Sequence, residues 1–576
     1  MKIVIIGGVA AGMSAAARAR RLSENAEIIV IERTHHVSFA NCGLPYYLGG
    51  VIENREALLL QTPESLAASL NLDVRIGHEV TTLDTHSHTI NVHVPTTGVD
   101  YVQQYDKLVL CPGASPIFPK LSGINHPNIF TLRNIENMDA IKSSLDAGAK
   151  SAVVIGASYI GLEVAENFKH IGLDVTVVEI APQLMPILDI EMSRDLQYHL
   201  QYHGVNLKLG CAAKTFEDSD GSVLVMLDNG EQLKADVVVM AVGVRPDIAL
   251  LQTTEIKVGT SGGIVVNQHM QTTVDDVYAA GDAIEVKDTI TGAPALIALA
   301  GPANRQGRIV ADHIFGIDSH YQSTQGTAIL KLFEMTAAIT GASEKALRKA
   351  GIAFQKVYLH PSGHAGYYPN TRPMHLKLLF KPETGHILGV QIVGYDGIDK
   401  RIDIFAVAVR KEMSVFELCD LELAYAPPYG SAKDPVNMAG FVASNFIKKD
   451  IDFWYAEEFD KLPKDAVIVD VRSESEYQSW HIEGAVNMPL ADFRCQLNTL
   501  QKSTAILLYC RVGFRSYLAH RILVQSGFSN VKTLAGGSKT FCSFHKTPLC
   551  TGKPGMPFVA HAEDIMAESA QAADSA

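Results

Sequence analysis

The chain has 576 residues, 47% hydrophobic and 19% charged; at about 100–200 residues per domain this ordinary globular composition predicts three to five domains. A net charge of −13 argues against a nucleic-acid partner, while leaving room for a local basic pocket that holds a phosphorylated ligand. The sequence has no apolar run near ~18–20 residues and no signal-peptide pattern, so neither a membrane span nor export is expected, and its eight scattered cysteines read as free thiols of a cytoplasmic chain, not as a disulfide framework.

In chain order, Lys2–Ile6 is an apolar strand that runs into the turn Gly7-Gly8-Val9-Ala10-Ala11-Gly12. An Ala/Arg-rich helix follows, then a second strand, Ile28–Ile31, ended by Glu32. Val9 stands where the dinucleotide fingerprint has glycine. The strand–turn–helix context still places a helix N-terminus for a pyrophosphate and a carboxylate for a ribose. Ser151–Val178 repeats the layout, with the turn Gly156-Ala157-Ser158-Tyr159-Ile160-Gly161 and Glu179 ending its second strand. A carboxylate there suits a free 2′-hydroxyl and repels a 2′-phosphate, which favours NADH over NADPH. Two such openings imply two doubly wound parallel sheets. Residues 325–445 change to short β-rich pieces (Thr327–Phe333, His375–Phe380, Ile387–Val393) with helices, ending at the loop Ala424–Tyr429. After Lys448–Asp450 a smaller α/β pattern begins, with strands Ala466–Val471 and Ala505–Tyr509, the latter ending at Cys510.

Thr273–Asp282 resembles the second FAD motif of the two-dinucleotide-binding flavoprotein disulfide reductase superfamily, and Leu108–Ala114 resembles its strand-to-loop crossover, with Cys111-Pro112 replacing the usual Ala-Thr. Cys111 is read as packing. The resemblance implies cofactor contacts at Gly7, Val9, Ala10, Ala11, Gly12, Glu32, Arg33, Asn41, Val80, Gly113 and Asp282 for FAD, and at Gly156, Ser158, Tyr159, Ile160, Glu179 and Gly243 for NADH.

Ser38-Phe39-Ala40-Asn41-Cys42-Gly43-Leu44-Pro45-Tyr46-Tyr47 holds one cysteine where superfamily members with a redox disulfide have two. A lone cysteine stores its oxidising equivalent as a mixed disulfide, a persulfide or a sulfenic acid. Pro45 suits a first helical turn, so Cys42 is expected at a helix N-terminus that favours its thiolate. The segment resembles coenzyme A disulfide reductases. That resemblance implies a coenzyme A path along Ser14, Arg18, Arg21, Ser38 and Asn41, with further substrate contacts at Asn304, Arg308 and Lys433, and a homodimer in which Tyr367 and Tyr425 reach the other subunit's site. Asn304 stands where a family member carries histidine, and no lysine matches near residue 70.

Val469–Arg472, Trp480–Pro489 and Cys510-Arg511-Val512-Gly513-Phe514-Arg515-Ser516 resemble a rhodanese domain. Loop N–H groups with Arg511 and Arg515 would cradle an anionic sulfur on Cys510; Cys495, Cys542 and Cys550 have no motif around them. The expected fold class is α/β: an FAD-binding domain (1–148 and 271–324), an NAD-binding domain (149–270), an α+β dimerisation domain (325–448), a rhodanese domain (449–552) and a mobile Ala/Asp/Glu/Ser-rich tail (553–576). The leading function is an NADH- and FAD-dependent reductase of coenzyme A persulfide or polysulfide, releasing hydrogen sulfide. The alternatives are a coenzyme A disulfide reductase, an NADH oxidase or peroxidase, a sulfurtransferase-led enzyme and a redox sensor. No metal ligand is assigned.

Overall fold

The structure is a computed structural model, and it describes residues 1–545; the expected tail 553–576 and Cys550 lie outside the described residues. The chain divides into two units. The first comprises Met1–Pro182 and Val205–Gly326. Its first sheet runs Val277–Ala279, Lys107–Leu110, Lys2–Ile6, Glu27–Glu32, Asp73–Ile76, all parallel. Its second runs Asn206–Leu209, Asp174–Glu179, Ser151–Ile155, Val237–Met240, Ile129–Phe130, also parallel. Parallel strands are covered on both faces, which is why Ile3, Val4 and Ile5 are all fully buried and read as one apolar run. In each sheet the strand order reverses beside the first strand, which opens a crevice at its C-terminal end. The helix Ala10–Leu22 packs along Ala300–Ile314. Gly307 permits this close approach: a Cβ there would stand 2.1 Å from the Ala11 carbonyl oxygen.

The second unit comprises Gln183–Gly204 and the chain from Thr327 onward. An antiparallel sheet (Ala328–Leu332, Met335–Gly341, Ile387–Gly394, His375–Phe380, Gln355–Leu359) and a parallel C-terminal sheet (Phe453–Trp454, Val531–Leu534, Ile506–Tyr509, Val467–Asp470, Val486–Asn487) organise it. The helix Ile190–Tyr202 falls in the 149–270 stretch by sequence but groups with this unit. The cause is ionic. Lys377, fully buried on the antiparallel sheet, meets Asp189 at 2.7 Å and Glu191 and Glu344 at 2.6 Å. Removing Lys377 would leave these buried carboxylates without their shared cation, at a cost of about 3–5 kcal/mol. The C-terminal domain sits on the same seam: Tyr455 donates to the Lys356 carbonyl at 3.0 Å and Thr540 lies 2.9 Å from His360. Among the described residues no helix is long and apolar enough to cross a membrane.

Candidate active site

The two glycine turns are built alike. Gly7 and Gly156 take φ of 106° and 107°, and a Cβ on either would stand 2.0 or 2.3 Å from a carbonyl oxygen of the neighbouring strand's extension, so only glycine fits. Gly12 and Gly161 are equally confined by the carbonyls of Gly7 and Gly156. Val9 and Ser158 are the N-caps of the helices Ala10–Leu22 and Tyr159–His170, and neither supplies a side-chain cap. The uncapped N–H groups beside Ala10, Ala11 and Ile160 therefore suit a pyrophosphate at both turns. Each strand-ending carboxylate is anchored by its own turn. Glu32 accepts from Gly8 N at 2.8 Å and from Thr34 N and Oγ1 at 2.8 Å. Glu179 accepts from Ala157 N at 2.7 Å and Ala181 N at 2.8 Å. Both carboxyl groups are held in place by these donors and are not mobile side chains.

Around the first turn stand Gly281, whose added Cβ would lie 3.1 Å from Ala11, and Asp282. Burial raises the Asp282 pKa while the Arg133 charge opposes the rise. Val80 is buried on the strand Glu79–Asp84. Gly113 (φ 71°) and Gly243 (φ 114°) meet through the short ladder Ala114–Pro116 with Val244–Pro246; Asp247 N donates to the Gly113 carbonyl at 3.0 Å, and Asp247 pairs with Arg33 at 2.7 Å. A glycine-lined turn, an uncapped helix and a desolvated carboxyl together fit a flavin dinucleotide. At the second turn the buried Tyr159 hydroxyl makes no hydrogen bond among the described residues, as a residue facing a ligand would.

Cys42 lies in the short 3-10 turn Asn41–Gly43, directly before the helix Leu44–Leu48 with Pro45 in its first turn. The position is the one expected from sequence; the electrostatics are not. The residue is exposed, but neighbouring protein still desolvates the sulfur, and this effect first, then Glu163 and Asp282, raises the thiol pKa above its ordinary value. One turn of a five-residue helix carries too little dipole to offset this desolvation and the two carboxylates. The shift runs upward, opposite to the direction expected from the helix terminus. Asn41 Oδ1 accepts from Cys42 N at 3.1 Å and lies 3.7 Å from Sγ. Ser38 holds a left-handed φ of 49° in the loop before it.

One of these carboxylates, Glu163, comes from a residue that sequence reasoning passed over. Glu163 is four residues after Tyr159 on the helix Tyr159–His170, hence on the same face. The helix Leu44–Leu48 is pressed against this one: a Cβ on Gly49 would stand 2.1 Å from Asn167 Oδ1. Tyr46 Oη donates to Glu163 at 3.5 Å. Burial, then the Glu166 charge, pushes the Glu163 pKa up to about 7, against the lowering from Tyr46. Tyr46 and Tyr159 are each pushed up to about 12, chiefly by burial. Cys111 is likewise pushed up to about 12 by burial, the behaviour of a packing cysteine.

Of the residues expected along the coenzyme A path and as further substrate contacts, five lie on the packed helix pair. Ser14 donates to Asn304 Oδ1 at 2.5 Å. Arg18 Nε pairs with Asp312 at 2.6 Å, and Arg308 lies 3.8 Å from the same carboxylate. Arg21 is exposed on the same helix. Asp312 absorbs part of the Arg18 charge, which leaves Arg21 and Arg308 as the more available cations. In the second unit Tyr367 and Tyr425 share a hydroxyl–hydroxyl hydrogen bond of 2.8 Å, and their rings are 74% and 48% exposed. Lys433 is exposed in that unit too.

Cys510 ends the strand Ile506–Tyr509 and is 1% exposed. Gly513, at φ 104°, turns the loop into the helix Phe514–Gln525. Gly513 N donates to Cys510 Sγ at 3.1 Å, and Ser516 Oγ lies 3.5 Å from it. Arg515 directs both ends of its guanidinium at Glu476, at 2.7 Å each. Burial alone would raise the Glu476 pKa, but Arg515 holds it at about 2. Arg511 anchors the loop by its backbone, its carbonyl accepting from Lys539 N at 3.0 Å. The contacts to the sulfur come from Gly513 and Ser516, which the motif contained without singling them out.

Fold and site define a two-dinucleotide oxidoreductase with a lone redox-placed cysteine and a second sulfur-holding domain. Comparison with known proteins agrees: residues 1–307 match the pyridine nucleotide-disulphide oxidoreductase model, 327–435 its dimerisation domain and 455–543 the rhodanese-like domain. The chain belongs to the pyridine nucleotide-disulphide oxidoreductase family, and membership implies FAD and NAD(H). It is 34% identical to the coenzyme A disulfide reductase of Staphylococcus haemolyticus (strain JCSC1435) over 77% of this chain and 99% of that protein. Among solved structures it is similar to reduced CoADR-RHD of Bacillus anthracis, with a TM-score of 0.92 and 43% identity over 94% of this chain and 98% of that one. It is also similar to an NAD-dependent persulfide reductase from A. fulgidus, with a TM-score of 0.88 and 34% identity over 94% and 100%.

Proposed function

We propose that this protein is an NADH-dependent reductase of persulfide and polysulfide sulfur, coenzyme A persulfide foremost, that releases hydrogen sulfide. The observation that carries this reading is the pairing in one chain of Cys42, an accessible thiol under the influence of a near-neutral carboxyl, with Cys510, a buried sulfur held by loop donors. The overall reaction is RSSH + NADH + H⁺ → RSH + H₂S + NAD⁺. Glu163, poised at about pH 7, takes the Cys42 proton. Cys42 then attacks the outer sulfur of the persulfide, displacing RS⁻ and becoming Cys42–S–SH. When bound, the flavin supplies the two-electron carrier between NADH and this sulfur. Cleavage of the S–S bond by the electron pair returns the Cys42 thiolate and hydrosulfide; the proton on Glu163 and the one that came with the NADH hydride convert RS⁻ and HS⁻ to RSH and H₂S, and one solvent proton restores the Cys42 thiol.

On this reading the thiol carrier lies along Ser14, Arg18, Arg21, Ser38 and Asn41, with Asn304 and Arg308 opposite, and the chain acts as a homodimer in which Tyr367 and Tyr425 serve the partner's site. Glu179, immobilised by two N–H groups, faces a 2′-phosphate with like charge, so NADH should exceed NADPH in kcat/KM by about 100-fold or more. The deciding experiment is anaerobic NADH consumption with coenzyme A persulfide, coenzyme A disulfide and polysulfide, beside an aerobic control without sulfur. Turnover with persulfide well above disulfide and oxygen supports the proposal; preferred turnover of the disulfide or of oxygen overturns it.

A further inference from the structure

The helix Ile190–Tyr202 carries His199 and His203 one turn apart on one face. Opposite them the strands Ala328–Leu332 and Met335–Gly341 form a hairpin in which Leu332 pairs with Met335, so Phe333 and Glu334 make the whole turn. Such two-residue turns favour glycine or asparagine where φ is positive. Here Phe333 holds φ 51°, a left-handed conformation that costs a bulky residue about 1–3 kcal/mol. The strained turn places two groups. The Phe333 ring stacks on His203 with centroids 3.8 Å apart, and Glu334 Oε2 lies 3.0 Å from His203 Nε2 and 3.4 Å from His199 Nε2.

His199 is 2% exposed, and neither ring nitrogen makes a well-formed hydrogen bond; the Leu332 backbone and Glu334 approach it without good direction. A buried polar group left in that condition costs about 1–3 kcal/mol unless something else satisfies it. One donor atom from each of His199, His203 and Glu334 lies within 4.8 Å of the other two. We propose that these three residues bind a divalent transition metal of the zinc class. Two imidazoles and a carboxylate are a zinc donor set, and at bond lengths of about 2.0–2.2 Å tetrahedral ligand atoms stand about 3.3 Å apart, close to the two separations seen. Glu334 is on the solvent side, with 59% of its side chain exposed, so the fourth position falls to water. The Arg372 guanidinium, held 4.6 Å over the Tyr395 ring, works against a cation and restricts the site to the tighter-binding divalent ions. The metal would fasten the helix to the hairpin through residues that have no part in the nucleotide and sulfur sites described above.

The test uses full-length holoenzyme with its thiols alkylated, stripped by chelator and titrated with Co²⁺, then Zn²⁺. One Co²⁺ per chain with the ligand-field bands of a tetrahedral N/O site, displaced by Zn²⁺, is the expected result. Even outer partners of a metal are worth about 10–100-fold in affinity, so His203→Gln and Glu334→Gln should each weaken binding at least about tenfold, with NADH-driven turnover, measured before alkylation, retained. Glu334 is exposed, so Glu334→Gln carries the test if His203→Gln does not fold. Absence of the bands, or equal affinity in wild type and both variants, overturns the proposal.

Discussion

The two sulfur sites solve opposite problems. Cys510 is buried, and its sulfur receives Gly513 N at 3.1 Å and Ser516 Oγ at 3.5 Å; donors fixed by the loop stabilise charge on sulfur whatever the state of nearby side chains. Cys42 is exposed and raised in pKa by desolvation, Glu163 and Asp282, so charge on its sulfur is held back until a proton acceptor and a substrate are present. The first arrangement suits storing a sulfur atom. The second suits a thiol that must react once and be regenerated, because a standing thiolate on the surface invites oxidation.

The severest test of this contrast is Cys42→Ser. The flavin and nicotinamide turns use none of its atoms, so the variant should keep FAD and be reduced by NADH in a stopped-flow trace, while steady-state persulfide turnover falls by about 1000-fold or more, as expected when a nucleophile is lost. Retained turnover would make Cys42 a bystander. Next in size is Cys510→Ser. If Cys510 only stores sulfur, reduction of a supplied small-molecule persulfide should stay within about twofold, and reduction of polysulfide or elemental sulfur should fall by about tenfold, or about 1.4 kcal/mol. Equal loss with both donors would place Cys510 in the reductase site itself.

Glu163→Gln sharpens the Cys42 side. Of the three causes that raise the thiol, this substitution removes the second and leaves burial and Asp282 in place. The pH profile of Cys42 alkylation should therefore move to lower pH, by less than about one unit, speeding alkylation at pH 7 by up to about tenfold. Persulfide turnover should fall at the same time and lose its dependence on a group near pH 7, because the proton acceptor is gone. An unmoved alkylation profile would mean that Glu163 does not influence the sulfur.

Much of this was legible in the sequence where the cause is local. The glycine turns, their carboxylates and the Cys510 loop are each encoded within about 30 residues, the span of one βαβ unit. What was not legible depends on contacts distant in the chain. The partner of Arg18 is Asp312, 294 residues away, and burial, the largest cause of the near-neutral Glu163, arises where the helix Leu44–Leu48 packs on Tyr159–His170. The Cys42 shift runs against the expected direction for the same reason: the helix-terminus argument was local, and the desolvation and opposing carboxylates were not. The grouping of Ile190–Tyr202 with the second unit rests on Lys377, whose three acidic neighbours are spread over 189–344.

The smallest expected effect asks whether the Cys510 cradle is made by the loop or by Arg515. Glu476 and Arg515 are each less than a third exposed and form a two-pronged pair. With the Glu476 pKa held at about 2, below an unfolded value of about 4.3, the pair adds stability that is fully present above the unfolded pKa and is lost as pH falls toward 2. After allowance for solvent screening its contribution is about 1–2 kcal/mol. Both tryptophans of the chain lie in the C-terminal domain, Trp454 on its parallel sheet and Trp480 within the rhodanese-like match, so tryptophan fluorescence follows the unfolding of that domain. Glu476→Gln should lower its transition at pH 7 by about 5–10 °C, and the gap to wild type should close as both are taken from pH 5 toward pH 2. Alkylation of Cys510 in the folded variant should be nearly unchanged, because Gly513 N and Ser516 Oγ keep their places. A large change in Cys510 reactivity with no change in the transition would reverse the assignment, making Arg515 the sulfur's own partner and Glu476 its counter-ion.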